Sequence, residues 1–438
     1  MFNAMIDRRP AVIARCADAE DVAKAVNFAR EENLLVSVRG SGHNVAGFAV
    51  CEDGLMIDLT PMKGISVDAA ARTVQVEAGC NWGEVTDALE PHGLAATGGF
   101  VSVTGVSGLT LGGGFGWLVR KHGLALDNLL SAEVVLADGL RVTASAEEND
   151  DLFWAIRGGG GNFGVVTSFE FQAHPVGPVL AGNVLHPASA AAQAIRRWRD
   201  LGADAPDESS QGALLFHFPD DPEAPALSGQ PVVGLGGVYS GPVKKGQDIL
   251  RPLREFGSPL VDTFETMPYS AAQRMADFLW PPGLHNYWKS SYLTALTDDA
   301  IDVIVDFFAR VPSPRTVIVL EYYGDSAWDR VPDTATAFGE RAWPYNFLVT
   351  SVWSDPKDAE RNIVWTRELF DAMRPFAAPG AYVNYLGGDE GDDGLKAAYG
   401  AKLERLAALK AKFDPTNLFR MNQNIAPAAV SGTDEART

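Results

Sequence analysis

Apolar residues recur at helical spacing near the start of the chain, where Val22, Val26 and Ala29 share one face of a stretch opened by Asp18-Ala19-Glu20-Asp21. An amphipathic helix with Asp18 as its N-cap is predicted there. The pattern then switches to strand-length runs at Leu34–Val38, Gly54–Leu59 and Thr73–Glu77. Asn81-Trp82-Gly83-Glu84 reads as the capped start of a helix that runs through Leu89 and is ended by Gly93. Ala132–Ala137, an Asp138-Gly139 turn and Leu140–Thr143 predict a hairpin, and a short helix over Asp151–Ile156 precedes a strand over Val165–Phe171. Past His174-Pro175-Val176-Gly177-Pro178, a proline-rich candidate boundary, strand readings at 214–218, 231–235, 317–323 and 347–353 alternate with amphipathic helices at Ile301–Ala309 and Glu360–Met373. One large sheet backed by helices is the expectation. The tail predicts a single helix over Leu395–Phe413, stopped at Asp414-Pro415, and a frayed polar end at Ser431–Thr438. This first block mixes strands and helices without the regular βαβ alternation of a Rossmann unit, and no Gly-x-Gly-x-x-Gly in it follows a strand to open a helix.

At 438 residues the chain is too long for one ordinary core, which makes two domains the default. A net charge of −20 argues against nucleic-acid binding, which needs a basic footprint. No apolar run is long enough for a membrane span, and no apolar leader precedes Pro10, so a cytoplasmic protein is expected. Cys16, Cys51 and Cys80 are scattered and odd in number, which makes a disulfide framework or a cysteine metal site improbable, and no metal is expected.

Three glycine-dense segments change the picture. Arg39-Gly40-Ser41-Gly42-His43-Asn44 closes the Leu34–Val38 strand and opens a loop to Gly47. Gly98-Gly99 leads through Thr104-Gly105-Val106-Ser107-Gly108 to Gly112-Gly113-Gly114-Phe115-Gly116, with too many glycines for an ordinary helix or strand, so a loop is expected. Arg157-Gly158-Gly159-Gly160-Gly161-Asn162-Phe163-Gly164 leads into the Val165-Val166 strand. Glycines let backbone amides approach an anionic ligand closely. Three such loops hung on strands predict one extended, phosphate-bearing cofactor.

These segments, together with Leu152-Phe153-Trp154-Ala155-Ile156 and the tail from Phe413-Asp414-Pro415-Thr416-Asn417 to Asn422-Gln423-Asn424-Ile425, resemble the berberine-bridge-enzyme-like FAD-linked oxidases of the vanillyl-alcohol-oxidase superfamily. The resemblance implies an α+β, two-domain PCMH-type FAD-binding fold with a substrate domain on a large antiparallel sheet backed by helices. It divides the chain into residues 1–176 for FAD, 177–378 for substrate and 379–438 as a return segment completing the FAD domain. It implies FAD bound covalently by its 8α-methyl to His43, with contacts from Arg39, Gly40, Ser41, Gly42, Asn44 and Gly47, from Val101, Thr104, Gly105, Gly108, Gly112, Gly113 and Gly114, from Gly164, Val165 and Val166, and from Asn422 and Asn424. Tyr385, last in Tyr382-Val383-Asn384-Tyr385, matches the tyrosine that serves relatives as catalytic base. A phenol titrates near 10, so a positive neighbour is expected, with Lys289 or Arg341 as candidates.

Two positions depart from the family's pattern. Relatives that attach FAD twice carry a cysteine where this chain has Val101, which implies a single bond, with Cys80 a small buried residue. Asn346 stands where plant relatives carry Glu or Gln beside the substrate. Thr104 matches the position over the flavin whose small bulk admits O2 in relatives, which implies an oxidase releasing H2O2. Among the aromatics of the second half, Trp280, Tyr287, Trp288, Tyr292, Tyr322, Tyr323, Tyr345 and Trp353, most are expected in the core. The expected substrate is a small or medium alcohol, a sugar or secondary metabolite, with amine oxidation and a low-turnover flavin carrier as alternatives. The oligomeric state is not readable.

Overall fold

The computed structural model describes residues 2–222 and 224–429; the tail at Ser431–Thr438 lies outside them. The predicted first helix forms over Ala19–Glu31, and the Asp18 carboxylate accepts from the Glu20 and Asp21 N–H groups at 2.9 Å each. Val22, Ala25, Val26 and Ala29 are its buried face. Strands Val12–Arg15, Leu55–Asp58 and Val36–Arg39 form a small parallel sheet in that order. The next sheet is antiparallel and orders Ile65–Asp68, Thr73–Glu77, Val165–Gln172, Leu129–Val135 and Arg141–Ser145. The hairpin at Asp138-Gly139 belongs to it, with Gly139 at φ +84° as its turn requires. One apolar core joins these elements to Val383, Leu386, Leu406, Phe419 and Ile425 of the C-terminal segment.

The large sheet is antiparallel, eight-stranded and built between Val179 and Trp353. Pro231–Tyr239, Ser209–His217, Val317–Tyr322 and Tyr345–Trp353 follow one another in it, and His285–Leu293 forms the edge beyond them. Strand side chains alternate between faces. Ala213, Leu215, Ile318, Leu320, Phe347 and Val349 therefore pack on the helices Ala191–Gly202, Asp298–Phe308 and Ala359–Met373. Leu214, Val319 and Leu348 take the opposite face, with Val101, Trp280 and Trp288. The helix-covered sheet thus turns its second face toward the glycine-rich loops.

Two local expectations are corrected. The glycine-dense stretch expected as a loop contains a helix, Val106–Gly112. Its glycines cost helix propensity of about 1 kcal/mol each, but they permit contacts that a larger residue forbids. A Cβ on Gly112 would stand 2.1 Å from Asn384 Oδ1, so tertiary packing overrides propensity here. The single tail helix is two, Gly391–Tyr399 and Lys402–Phe413, broken at Gly400, where φ is +51°. Asp414 ends the second helix, accepting from the Leu418 and Phe419 N–H groups and from Lys410 Nζ. Among the described residues no helix is long and apolar enough to cross a membrane.

Candidate functional site

The strand Val36–Arg39 delivers the turn Gly40–Asn44, which Gly42 makes possible at φ +78°. This turn lies hard against the helix Val106–Gly112. A Cβ on Gly40 would be 2.7 Å from Ser107 Oγ, and one on Gly105 would be 2.5 Å from Ser41 Oγ, so only glycine lets the two backbones meet. Ser107 Oγ fixes the contact by donating to the Ala78 carbonyl at 2.6 Å. His43 then faces a cavity of about 340 Å³, with its ring 4.2 Å from that of Phe2. Burial pushes its pKa down to about 4, against the pull of Asp277, so the imidazole is neutral at neutral pH and keeps a lone pair.

The cavity brings together most of the residues singled out from sequence. Gly40, Ser41, Gly42, His43 and Asn44 line one side, and Val101, Thr104, Gly105, Gly108 and Gly112 continue it. Gly164, Val165, Val166 and Asn422 close the far end. A Cβ on Gly108 or on Gly161, also in the wall, would meet nothing within 4 Å, so the backbone faces the cavity bare. Asn422 Oδ1 is buried with no partner. Bare backbone and an unpaired amide oxygen around one elongated space fit a large ligand with polar edges, as FAD is.

Other expected residues lie off this wall. Gly113 and Gly114 serve packing: a Cβ on Gly113 would press on Phe338 and Tyr382 at 2.8 Å, and one on Gly114 on Ala125 at 2.4 Å. The Gly114 N–H donates instead to Tyr382 Oη at 2.9 Å. Gly47 turns the backbone at φ +76° against Ile6, and the Arg39 side chain packs on Gly42 with its Nε unpaired. Asn424 keeps a buried, unpaired Oδ1 outside the wall. Cys80 is fully buried, as expected of a small core residue.

The segment Tyr382–Tyr385 ends in a single 3₁₀ turn, Val383–Tyr385. Asn384 Nδ2 donates to the Leu109 carbonyl at 3.0 Å and to Tyr382 Oη at 2.8 Å, which satisfies a carbonyl left open at the C-terminal end of the glycine-rich helix. Tyr385 is thereby held at the cavity, 4.7 Å edge-on from Tyr382 and 6.2 Å from Trp288, measured between ring centroids.

Among the described residues neither expected cation stands beside Tyr385. Lys289 is held by Asp389 at 3.1 Å and Glu390 at 2.5 Å, and Arg341 is paired with Asp127 at 2.7 Å. The charged partner of Tyr385 is Glu321, a buried carboxyl in the cavity wall. Burial and Glu321 raise the Tyr385 pKa well above 10, and burial raises Glu321 itself to about 7, against stabilising contributions from Asn346, Tyr323 and Tyr385. Asn346 is fully buried opposite Glu321 in register, so the two side chains share one face of the sheet, and its Nδ2 donates to Glu321 Oε2 at 2.6 Å. It meets the cavity through Glu321 and is not itself in the lining.

Glu321, Tyr323, Trp280 and Trp288 also line the cavity. Sequence reasoning placed Glu321 in a strand without singling it out. Its signal was an acid directly after the apolar run Val317–Leu320, two residues from Val319 and so on the same face.

Comparison with known proteins agrees with this geometry. A family model described as FAD binding domain matches residues 10–145, and one described as berberine and berberine like matches residues 381–426. An FAD-linked oxidoreductase of Dictyostelium discoideum is 32% identical over 97% of this chain and 91% of its own length. (R)-6-hydroxynicotine oxidase of Paenarthrobacter nicotinovorans is 31% identical over 96% of this chain and 92% of its own. Among solved structures, 6-hydroxy-D-nicotine oxidase from Arthrobacter nicotinovorans superposes with a TM-score of 0.87 at 28% identity, covering 97% of this chain and 93% of that one. Xylooligosaccharide oxidase from Myceliophthora thermophila, in complex with xylobiose, superposes with a TM-score of 0.85 at 26% identity, covering 98% and 94%.

Proposed function

We propose that this chain, which belongs to the berberine-bridge-enzyme-like FAD-linked oxidoreductases and binds FAD, holds that FAD covalently through His43 and oxidises a small or medium alcohol. FAD supplies the hydride acceptor and, with O2 as the final oxidant, the route to H2O2. The chain supplies the rest. Residues 1–176 and 379–438 make the FAD-holding unit in this reading, supported by the apolar core they share, and residues 177–378 make the substrate side.

The observation that carries the reading is that Tyr385 and its partner Glu321 line the same cavity as the His43 turn. Tyr385 alone is a poor base, because burial and Glu321 oppose its phenolate. The same neighbour resolves this. Tyr385 takes the hydroxyl proton of the substrate while its own proton passes to the Glu321 carboxylate, so no isolated phenolate is formed. Asn346 holds that carboxylate from the neighbouring strand. Thr104, also in the lining, leaves room for O2 by its small size. The likeness to (R)-6-hydroxynicotine oxidase keeps amine oxidation as the second reading.

The test is mass spectrometry of denatured protein. Wild type is expected to carry the chain mass plus one FAD, with a single flavin-bearing peptide that contains His43, and His43→Ala to lose both. Flavin released from denatured wild type, or found on the Cys80 peptide, overturns the linkage.

A further inference from the structure

On the substrate side of the cavity the large sheet lays down an apolar floor: Leu214, Val319 and Leu348 come from three neighbouring strands and point to the same face. Two indoles border it: Trp288 comes from the next strand of the same sheet, and Trp280 packs in the same cluster. Their N–H groups are already used within the protein: Trp280 Nε1 donates to Thr350 Oγ1 at 3.0 Å, and Trp288 Nε1 to Asn286 Oδ1 at 3.2 Å. Both therefore offer a ligand only carbon surface.

Charge is arranged as one-sidedly. Among the described residues that line the cavity there is no Lys or Arg, while Glu321 is an acid. Lys289 is paired with Asp389 and Glu390, Arg341 with Asp127, and Arg274 with Asp87 at 2.7 Å. An anionic group brought here would lose its hydration and find a carboxyl in place of a counter-ion. A polyol would bury several hydroxyls against a floor of Leu and Val, where each unpaired one carries a desolvation penalty.

We propose, resting on the oxidase reading above, that the substrate is a planar, lipophilic alcohol, an aryl or fused-ring carbinol, that bears no carboxylate, phosphate or sulfate. Its ring lies on the Leu214–Val319–Leu348 floor against the Trp280 and Trp288 side chains, and its carbinol group reaches Tyr385. Trp288, 6.2 Å from Tyr385 between centroids, sets the angle at which the ring enters. The apolar wall thus selects by lack of polar partners, unlike a sugar cleft, which must answer many hydroxyls.

The test uses the holoenzyme and three probes of known chemistry: 2-naphthylmethanol, 6-(hydroxymethyl)-2-naphthoate and xylobiose. Anaerobic bleaching of the flavin and peroxide release give kcat/KM for each. The neutral carbinol is expected to exceed the carboxylate by about 100-fold or more, the scale of burying one unpaired charge, and to exceed xylobiose by a similar factor. Trp288→Leu is expected to lower kcat/KM for the naphthylmethanol about tenfold, and Trp288→Phe to restore most of it. Equal use of the carboxylate, faster use of xylobiose, or a flavin that none of the three probes bleaches overturns the inference. Covalent flavin on His43, together with peroxide from some other substrate, would leave the cofactor reading standing while this one falls; free flavin would strike the reading beneath it.

Discussion

At Tyr385 two demands compete: a base must give up its proton easily, yet burial and the adjacent acid make the phenolate costly. Pairing with Glu321 settles the contest only when Glu321 is a carboxylate. Because burial raises that carboxyl to about 7, the competent form accumulates as pH rises through about 7. Flavin reduction followed by stopped flow is therefore expected to increase with pH across that range. Glu321→Gln should abolish the increase, and Tyr385→Phe should slow reduction about 100-fold while leaving FAD content unchanged. A reduction rate unaltered by Tyr385→Phe would remove it from the mechanism. Thr104 belongs to the other half-reaction. Its Cβ packs 3.2 Å from where a Gly99 side chain would begin, so the loop holds it in a fixed place in the wall. Thr104→Leu is expected to slow reoxidation by O2 with anaerobic reduction little changed, and Thr104→Val, similar in shape, to behave as wild type. A valine variant as slow as the leucine variant would assign the effect to the lost hydroxyl.

Among the elements, the helix Val106–Gly112 matters most, since seven residues containing two glycines would not be helical alone. It persists because Ser107 ties its start to Ala78 and Asn384 Nδ2 donates to its open Leu109 carbonyl. Asn384→Ala is expected to destabilise by about 1–3 kcal/mol, the usual penalty for a buried carbonyl left unpaired, read as a shift in the urea midpoint. Gly112→Ala should be destabilising in wild type, where its Cβ would stand 2.1 Å from Asn384 Oδ1, and markedly less so in the Asn384→Ala background. Strict additivity of the two would show that this contact is not what fixes glycine at position 112.

Over the whole molecule, burial governs the response to acid. His122 and His174 stack at 3.8 Å between centroids; burial lowers both pKa values, with His122 pushed down to about 3. The unfolded chain takes up these protons first, from about 6.5 downward, so their contribution to stability is complete above about 6.5 and is lost as pH falls toward the folded values. The thermal midpoint is expected to drop from pH 6.5 to pH 4, and a His122→Gln, His174→Gln protein to show a shallower slope over that window. An identical slope would place the acid sensitivity elsewhere. Much of this molecule was legible before any fold was drawn. Caps, glycine loops and alternation are local properties, so Asp18, the Asp138-Gly139 turn, the His43 turn and the large sheet could be read from neighbours in the chain. What lay outside reach was set by contacts between residues far apart in sequence. The helix inside the glycine stretch depends on Asn384, 275 residues beyond Leu109. The partner of Tyr385 is Glu321 because strand register sets Glu321 against Asn346 and turns it to the cavity face, while Lys289 and Arg341 find carboxylates elsewhere. Local sequence settles what each segment prefers; which charges meet in a buried cavity is decided by sheet register and by competition among partners, and only the tertiary structure expresses those.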